Sequence, residues 1–218
     1  MPTSPAAQGL LFEDEAADWA PSPPAAPPGF RYEAGFLSPD EEAGLLAHIS
    51  GLPFEAMRYK QYVAQRRIVS YGGRFDFDRN ALLAADAAPP WLQPLRERIA
   101  AWAGLPTEAF TQILVAEYSV GTPLGWHRDV PDFEDVVGVS LASDATMRFR
   151  PYRREARVPS PALPRSRSRT AVLKQVLAPR SIYLMQGPAR WDWQHSVSPT
   201  LSLRYSITFR TSARRAVL

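Results

Sequence analysis

The sequence predicts an α+β fold in which two helices precede a run of short strands that close as a sandwich or jelly roll. Apolar residues recur at helical spacing only between Ser38 and Gly104, and from Thr111 the period changes to two. Gly/Pro turns such as Gly121-Thr122-Pro123 and Gly187-Pro188 then separate the alternating segments. With 218 residues, 45% of them apolar, one domain with a sizeable core is expected.

Residues 1–28 hold seven prolines and few large apolar side chains. Such a stretch buries too little surface to offset its ordering entropy and reads as a disordered tail. Ser38-Pro39-Asp40-Glu41 starts the first helix: Ser38 caps it, Pro39 takes the first helical position and Glu41 completes a capping box. Leu45, Leu46 and Ile49 form its buried face, and His48, without a ligand-spaced partner, reads as a boundary histidine. The second helix follows Pro89-Pro90, carries Leu92, Leu95, Ile99 and Trp102 on one face, and stops at Gly104. Strands are expected at 111–118, 136–142, 146–150, 171–177, 181–185 and 203–210. Between the third and fourth of these, residues 151–170 combine four prolines with a run of arginines and no period, which reads as a long loop.

Composition excludes several chemistries. The chain has no cysteine, so disulfides, zinc ribbons, iron–sulfur clusters and thiol nucleophiles are out of reach. A nitrogen-ligated metal site must draw on His48, His127 and His195 alone. The first basic residue is Arg31 and no apolar run approaches the ~18 residues of a membrane span, so a soluble, cytoplasmic protein without membrane contact is expected. The net charge of +3 conceals an asymmetry. Residues 1–50 hold eight acids against Arg31, whereas 148–180 hold ten bases against Glu155. That local positive excess suits a polyanion such as nucleic acid, although a solvated flexible loop explains it equally well.

In Trp126-His127-Arg128-Asp129, an extended backbone would place His127 and Asp129 on one face, with Cα atoms roughly 6.5 Å apart. Together with His195 they make two histidines and one carboxylate, the facial triad that leaves positions open on a non-haem iron. In the closing strand, Arg204, Ser206, Thr208 and Arg210 share one face, opposite apolar and aromatic residues. Two arginines on an interior strip call for an anion; the other reading is an exposed edge strand with ordinary surface arginines.

The combination of His127-x-Asp129, His195 and Arg204-Tyr-x-x-Thr-Phe-Arg210 resembles the AlkB family of Fe(II)- and 2-oxoglutarate-dependent dioxygenases. The resemblance covers residues ~112–211 and extends less firmly back to Phe30. It implies a double-stranded β-helix core at 111–218 with buttressing helices and a nucleotide-recognition flap at 29–110. It also implies oxidative dealkylation of N-alkylated bases with O₂ as co-reactant. By the same resemblance, His127, Asp129 and His195 hold the iron. Arg204 takes the distal carboxylate of 2-oxoglutarate, Arg210 lies nearer the iron, and Tyr118 hydrogen-bonds the co-substrate. Members often carry asparagine where this chain has Ala116 and Ser206, and Ser206 still offers one hydrogen bond to the co-substrate. Some members carry an acid where this chain has Pro131, so the preferred lesion is left open.

The stretch Tyr59 to Arg74 interleaves aromatics with bases and resembles the family's recognition flap; a tyrosine-packed hairpin is the other reading. Tyr62, Tyr71 and Arg74, with Trp126 and Arg128 beside the ligands, are the candidates to stack a flipped base and hold phosphates. Single-stranded or damaged DNA is the expected partner, and a monomer the expected state. The same chemistry on RNA, protein or a small molecule, or a metal-free binding module, are the alternatives. Gln8-Gly9-Leu10-Leu11-Phe12 resembles the peptides by which bacterial repair proteins dock on the sliding clamp, though a chance apolar cluster accounts for it too.

Overall fold

Ser38 caps α1 (Pro39–Ile49) as expected. Its hydroxyl accepts the Glu41 N–H at 3.2 Å while its own N–H donates to the Glu41 carboxylate at 2.7 Å. A 3₁₀ turn at Pro90–Leu92 leads into α2 (Gln93–Ala103), which ends where Gly104 turns left-handed at φ 71°. That conformation costs glycine little and returns the chain toward the strands. The computed structural model describes residues 26–59, 62–76, 78–152 and 172–213. The Gln8–Phe12 island, nearly all of the Pro/Ala-rich tail and most of the 151–170 loop lie outside them.

Each of the six expected strands is present within three residues of its expected bounds: β6 (Phe110–Tyr118), β8 (Phe133–Leu141), β9 (Ala145–Pro151), β10 (Leu173–Leu177), β11 (Ser181–Met185) and β13 (Arg204–Ser212). Alternation also begins earlier than Thr111. The chain adds β1 (Phe30–Glu33), β2 (Glu55–Tyr59), β3 (Tyr62–Tyr71), β4 (Gly73–Asp76) and β5 (Ala81–Ala84) before α2. Two short strands, β7 (Leu124–His127) and β12 (Trp193–Val197), lie among the others, and a single-turn α3 (Pro188–Trp191) precedes β12. These strands are four to ten residues long, most of them five or fewer, so their pairing partners, rather than their own period, make them strands.

A seven-stranded antiparallel sheet runs β1-β11-β8-β13-β6-β3-β2, so strands from both sides of residue 110 are hydrogen-bonded into it. A four-stranded sheet, β10-β9-β12-β7, faces it, and β4 and β5 pair separately. This is a double-stranded β-helix of α+β class. One face of the large sheet receives the helices: Ile49, Leu92 and Ile99 pack with Val115, Val139, Ile207 and Phe209. The other face meets the small sheet through Val136, Tyr183 and Met185 against Met147, Phe149 and Leu177. The closing strand β13 sits in the middle of the large sheet with eight of its nine residues buried or half-buried, so the edge-strand reading of its arginines fails. Gly138 is opposite Tyr183 across β8 and β11, and a Cβ there would lie 2.3 Å from the tyrosine ring. Glycine is what allows that ring to lie flat across the sheet beneath the site.

No helix among the described residues is long and apolar enough to cross a membrane.

Candidate metal centre and co-substrate pocket

The space between the two sheets is polar at one end because of strand parity. On β13, Arg204, Ser206, Thr208 and Arg210 all face it, and cross-strand pairing sets Tyr118 beside Arg204 and Ala116 beside Ser206. From the small sheet come His195 on β12 and His127 at the end of β7, which are direct register partners. A bulge follows: Val197 pairs with Leu124, so β7 has one residue more than β12 over this interval. The extra residue lets Leu124 and His127, three apart, turn to the same cavity. Asp129 lies two residues beyond the end of β7, so the segment that follows the strand, ahead of the Val130–Phe133 turn, carries its carboxylate to the site.

His127, Asp129 and His195 each offer a ligand atom within 4.8 Å of the others, and they are the only such cluster among the described residues. The imidazole rings stand 4.2 Å apart at their centroids, tilted by 55°. His127 Nδ1 lies 2.9 Å from the Gly125 carbonyl; with that nitrogen donating, the Nε2 lone pair faces Asp129 at 4.0 Å. Burial lowers the pKa of both imidazoles, and the neighbouring His127 helps push His195 down to about 3. Both rings are therefore neutral near pH 7, the form that donates a lone pair. Burial alone would raise the Asp129 carboxyl, but Arg210 at 3.4 Å and the two imidazoles hold it well below the usual carboxylate range.

The low His195 value carries a stability consequence. Unfolding returns that imidazole to about 6.5. Below that pH the unfolded chain takes up a proton that the metal-free folded chain refuses until about pH 3. Stability then falls as pH drops through this window, by about 1.4 kcal/mol per unit. Urea unfolding of chelator-treated protein should show about 2 kcal/mol lost from this group between pH 7 and pH 5. His195→Asn should lose less; an equal fall in both proteins would refute the linkage.

Arg204 is 2% exposed and is the largest fully buried side chain among the described residues. Its Nε donates to Ser140 Oγ at 3.1 Å and its guanidinium lies 4.9 Å from the Tyr118 ring centroid, while Nη1 is buried without a hydrogen-bond partner. Arg210 donates from Nη1 to Gln112 Oε1 at 2.8 Å and reaches Asp129 with Nη2. Ser206 and Ala116 both line the cavity, so the serine hydroxyl replaces one amide there and a methyl replaces the other.

Other expected contacts fall elsewhere. Tyr71 is paired with Ile113 on the helix-side face of the large sheet and packs in the core below it, because odd positions of β3 point away from the cavity. Arg74 is exposed on β4 and does not line the cavity, and the side chain of Tyr62 lies outside the described residues. Trp126 occupies the outer face of the small sheet under Arg148 and Arg150. Arg128 stacks on Tyr152 at 3.7 Å and donates to the Trp191 carbonyl at 2.8 Å, also outside the cavity lining. His48 stacks on Trp91 between the helices, far in the fold from the other two histidines.

Two residues of the site carry little sequence signal. Arg66, on β3, brings Nη1 to 3.5 Å from the Tyr118 hydroxyl inside the cavity; only the β3–β6 register shows that it points there while Arg67 pairs with Glu117 on the opposite face. Arg190, 2% exposed, donates to the carbonyls of Val130 and Phe133 at 2.7 and 2.8 Å and so holds the turn after Asp129.

A jelly roll with two histidines and an aspartate converging beside buried arginines defines a non-haem iron oxygenase. The chain belongs to the 2OG-Fe(II) oxygenase superfamily, whose model matches residues 29–210. It is a dioxygenase that uses Fe(II) and 2-oxoglutarate, and it is similar to AlkB-type proteins. It is 28% identical over 181 residues to an Arabidopsis thaliana protein named "Alkylated DNA repair protein ALKBH8 homolog", covering 78% of this chain and 51% of that one. It is 25% identical to a Xenopus tropicalis tRNA (carboxymethyluridine(34)-5-O)-methyltransferase, alkbh8, over 81% of this chain and 26% of the relative. The chain thus spans about half and about a quarter of these two relatives. Among solved structures, OsALKBH1 matches with a TM-score of 0.61 at 15% identity, covering 84% of this chain and 98% of that one. A Pseudomonas putida prolyl-4-hydroxylase matches at 0.52 and 14%, covering 85% and 93%. Both share the fold.

Proposed function

We propose that this dioxygenase oxidatively dealkylates N-alkylated bases in nucleic acid, with His127, Asp129 and His195 as the iron ligands and Arg204, Tyr118, Ser206 and Arg210 around 2-oxoglutarate. The observation that carries the site assignment is a set of unsatisfied groups of both kinds, acceptor and donor, in one cavity. Asp129 Oδ2 is buried without a hydrogen-bond partner between two neutral imidazoles, and Arg204 Nη1 is buried without one across the same space. An orphaned buried acceptor and an orphaned buried donor each cost free energy unless a cation and an anion complete them. Divalent iron and a dicarboxylate supply both charges, and three protein ligands leave positions open.

Iron with bound 2-oxoglutarate and O₂ supplies an oxidant for an alkyl carbon, with succinate and carbon dioxide as co-products and an aldehyde released from the hydroxylated group. The chain's own part is orientation. The Gly125 carbonyl sets the His127 tautomer, Arg210 fixes one Asp129 oxygen, and Arg190 holds the turn behind it. Tyr118 and Arg204 stack at the far end and define the depth to which a dicarboxylate reaches. Nucleic acid as the substrate is supported by the basic 148–180 segment and by the two relatives, one named for alkylated-DNA repair and one for tRNA modification. Formaldehyde release from methylated DNA and RNA oligonucleotides, measured with 2-oxoglutarate present, tests the reading. Formaldehyde and succinate in equal amounts are expected; succinate formation stimulated by no oligonucleotide overturns it.

A further inference from the structure

We infer that the outer face of the small sheet, on the side away from the iron ligands, is a docking surface for the phosphate backbone of the nucleic-acid strand whose base enters the cavity. The inference rests on the nucleic-acid reading above. Strand parity makes the face: on β12, His195 and Val197 point inward while Gln194 and Ser196 point outward, opposite Arg150 and Arg148 of β9. Lys174 of β10 is exposed directly across from Arg148, and Trp126 of β7 completes the outer row next to His127.

Three cations therefore stand side by side, and no outward-facing position of the four strands carries an acid. Like charges directly across a strand pair repel. The face nevertheless builds the arginines in place. Arg148 Nε donates to Ser196 Oγ at 3.0 Å and Arg150 Nε to Gln194 Oε1 at 2.8 Å, and both guanidiniums stack on Trp126, at 5.2 and 4.5 Å from its ring centroid. Every partner among the described residues is neutral, so the positive charge is held in a fixed geometry and left for an anion from outside. The arginines stand at i and i+2, roughly 6.6 Å apart at Cα, a spacing suited to successive phosphates of one chain rather than to a single small anion. Charge complementarity selects the phosphodiester backbone, and one sheet thickness separates it from the cavity on the other face of β12.

The test is binding of a labelled single-stranded oligodeoxynucleotide by fluorescence anisotropy at several salt concentrations. Glutamine at both positions in R148Q/R150Q removes two charges without emptying the face. Counterion release predicts a slope of log K against log salt shallower by about 1.4 and an affinity about 25-fold weaker at 0.1 M salt. Dealkylation of a methylated free nucleoside, too short to reach the face, should continue at the unaltered rate. K174Q, at an exposed position, should flatten the slope by about 0.7. Unchanged affinity and slope in both folded variants overturn the inference while leaving dealkylation intact. Absence of salt-dependent binding by the unaltered protein overturns the nucleic-acid reading and this surface with it.

Discussion

Replacing Asp129 with asparagine is expected to lower 2-oxoglutarate turnover on the order of a thousandfold, equivalent to about 4 kcal/mol of barrier. The carboxylate is the anionic member of the proposed triad, and nothing else in the described cavity lining can take its place, since its remaining polar residues are cationic or neutral. An amide oxygen keeps the shape and a weak contact to Arg210 but does not offset the charge of a divalent cation. The choice of asparagine matters. Alanine would also strand Arg210, whose acidic partner is Asp129 at 3.4 Å, and breaking a pair this buried costs about 3–5 kcal/mol of stability. Succinate formation and iron retained after dialysis should fall together in D129N while its circular dichroism stays that of the unaltered protein. Full turnover by folded, iron-poor D129N would sink the ligand assignment.

Arg204→Met is expected to separate co-substrate binding from stability in opposite directions. A guanidinium buried to 2% exposure, with a hydroxyl and an aromatic ring as its neighbours and Nη1 unsatisfied, is a burden on the metal-free fold. Replacing such a charge with an apolar side chain of similar length is often neutral or stabilising. Binding should show the reverse. Removing one partner of a buried charge pair costs about 2–5 kcal/mol, which raises the KM for 2-oxoglutarate about 30- to 5,000-fold. Arg204→Lys keeps the charge but loses the planar fork and should fall between the two. Urea midpoints of metal-free protein and initial rates against 2-oxoglutarate concentration measure the two halves. A KM unchanged in R204M would remove Arg204 from the co-substrate site. An unfolding free energy that drops by several kcal/mol would make it a structural arginine.

These two residues reach one cavity because a double-stranded β-helix buries a polar strip. The large sheet is covered on its helix side by aliphatic residues such as Val139 and Ile207, so the cost of burying Arg204 and Arg210 falls on the other face. There the small sheet supplies the histidines beside the apolar Met147, Phe149 and Leu177. The site and the helix-side core thus occupy opposite faces of the same strands.

Much of this was readable beforehand. The capping box of α1, the stop at Gly104 and the alternation of β13 are local patterns, governed by hydrogen bonds and parity within a few residues, and they appear where expected. His127, Asp129 and His195, named as ligands by the family resemblance, do come within reach of one another. The flap residues were harder. Tyr71 and Arg66 lie on one strand five residues apart, and only the pairing of β3 with β6 shows that Arg66 faces the cavity while Tyr71 faces the helices.

The amino-acid sequence by itself determined the two long helices and six of the strands, the local caps, the list of possible ligands and the strip of arginines on the last strand. Tertiary structure alone decided that β13 is central rather than at an edge and that a bulge turns His127 and Leu124 to one cavity. It also decided that Asp129 arrives from the segment just beyond β7, and that Trp126 and its two arginines face outward. The physical reason is that parity and capping act over a few residues, whereas register, sheet order and bulges arise from hydrogen bonds between segments far apart in the chain, and a shift of one residue in any of them moves a side chain to the opposite face.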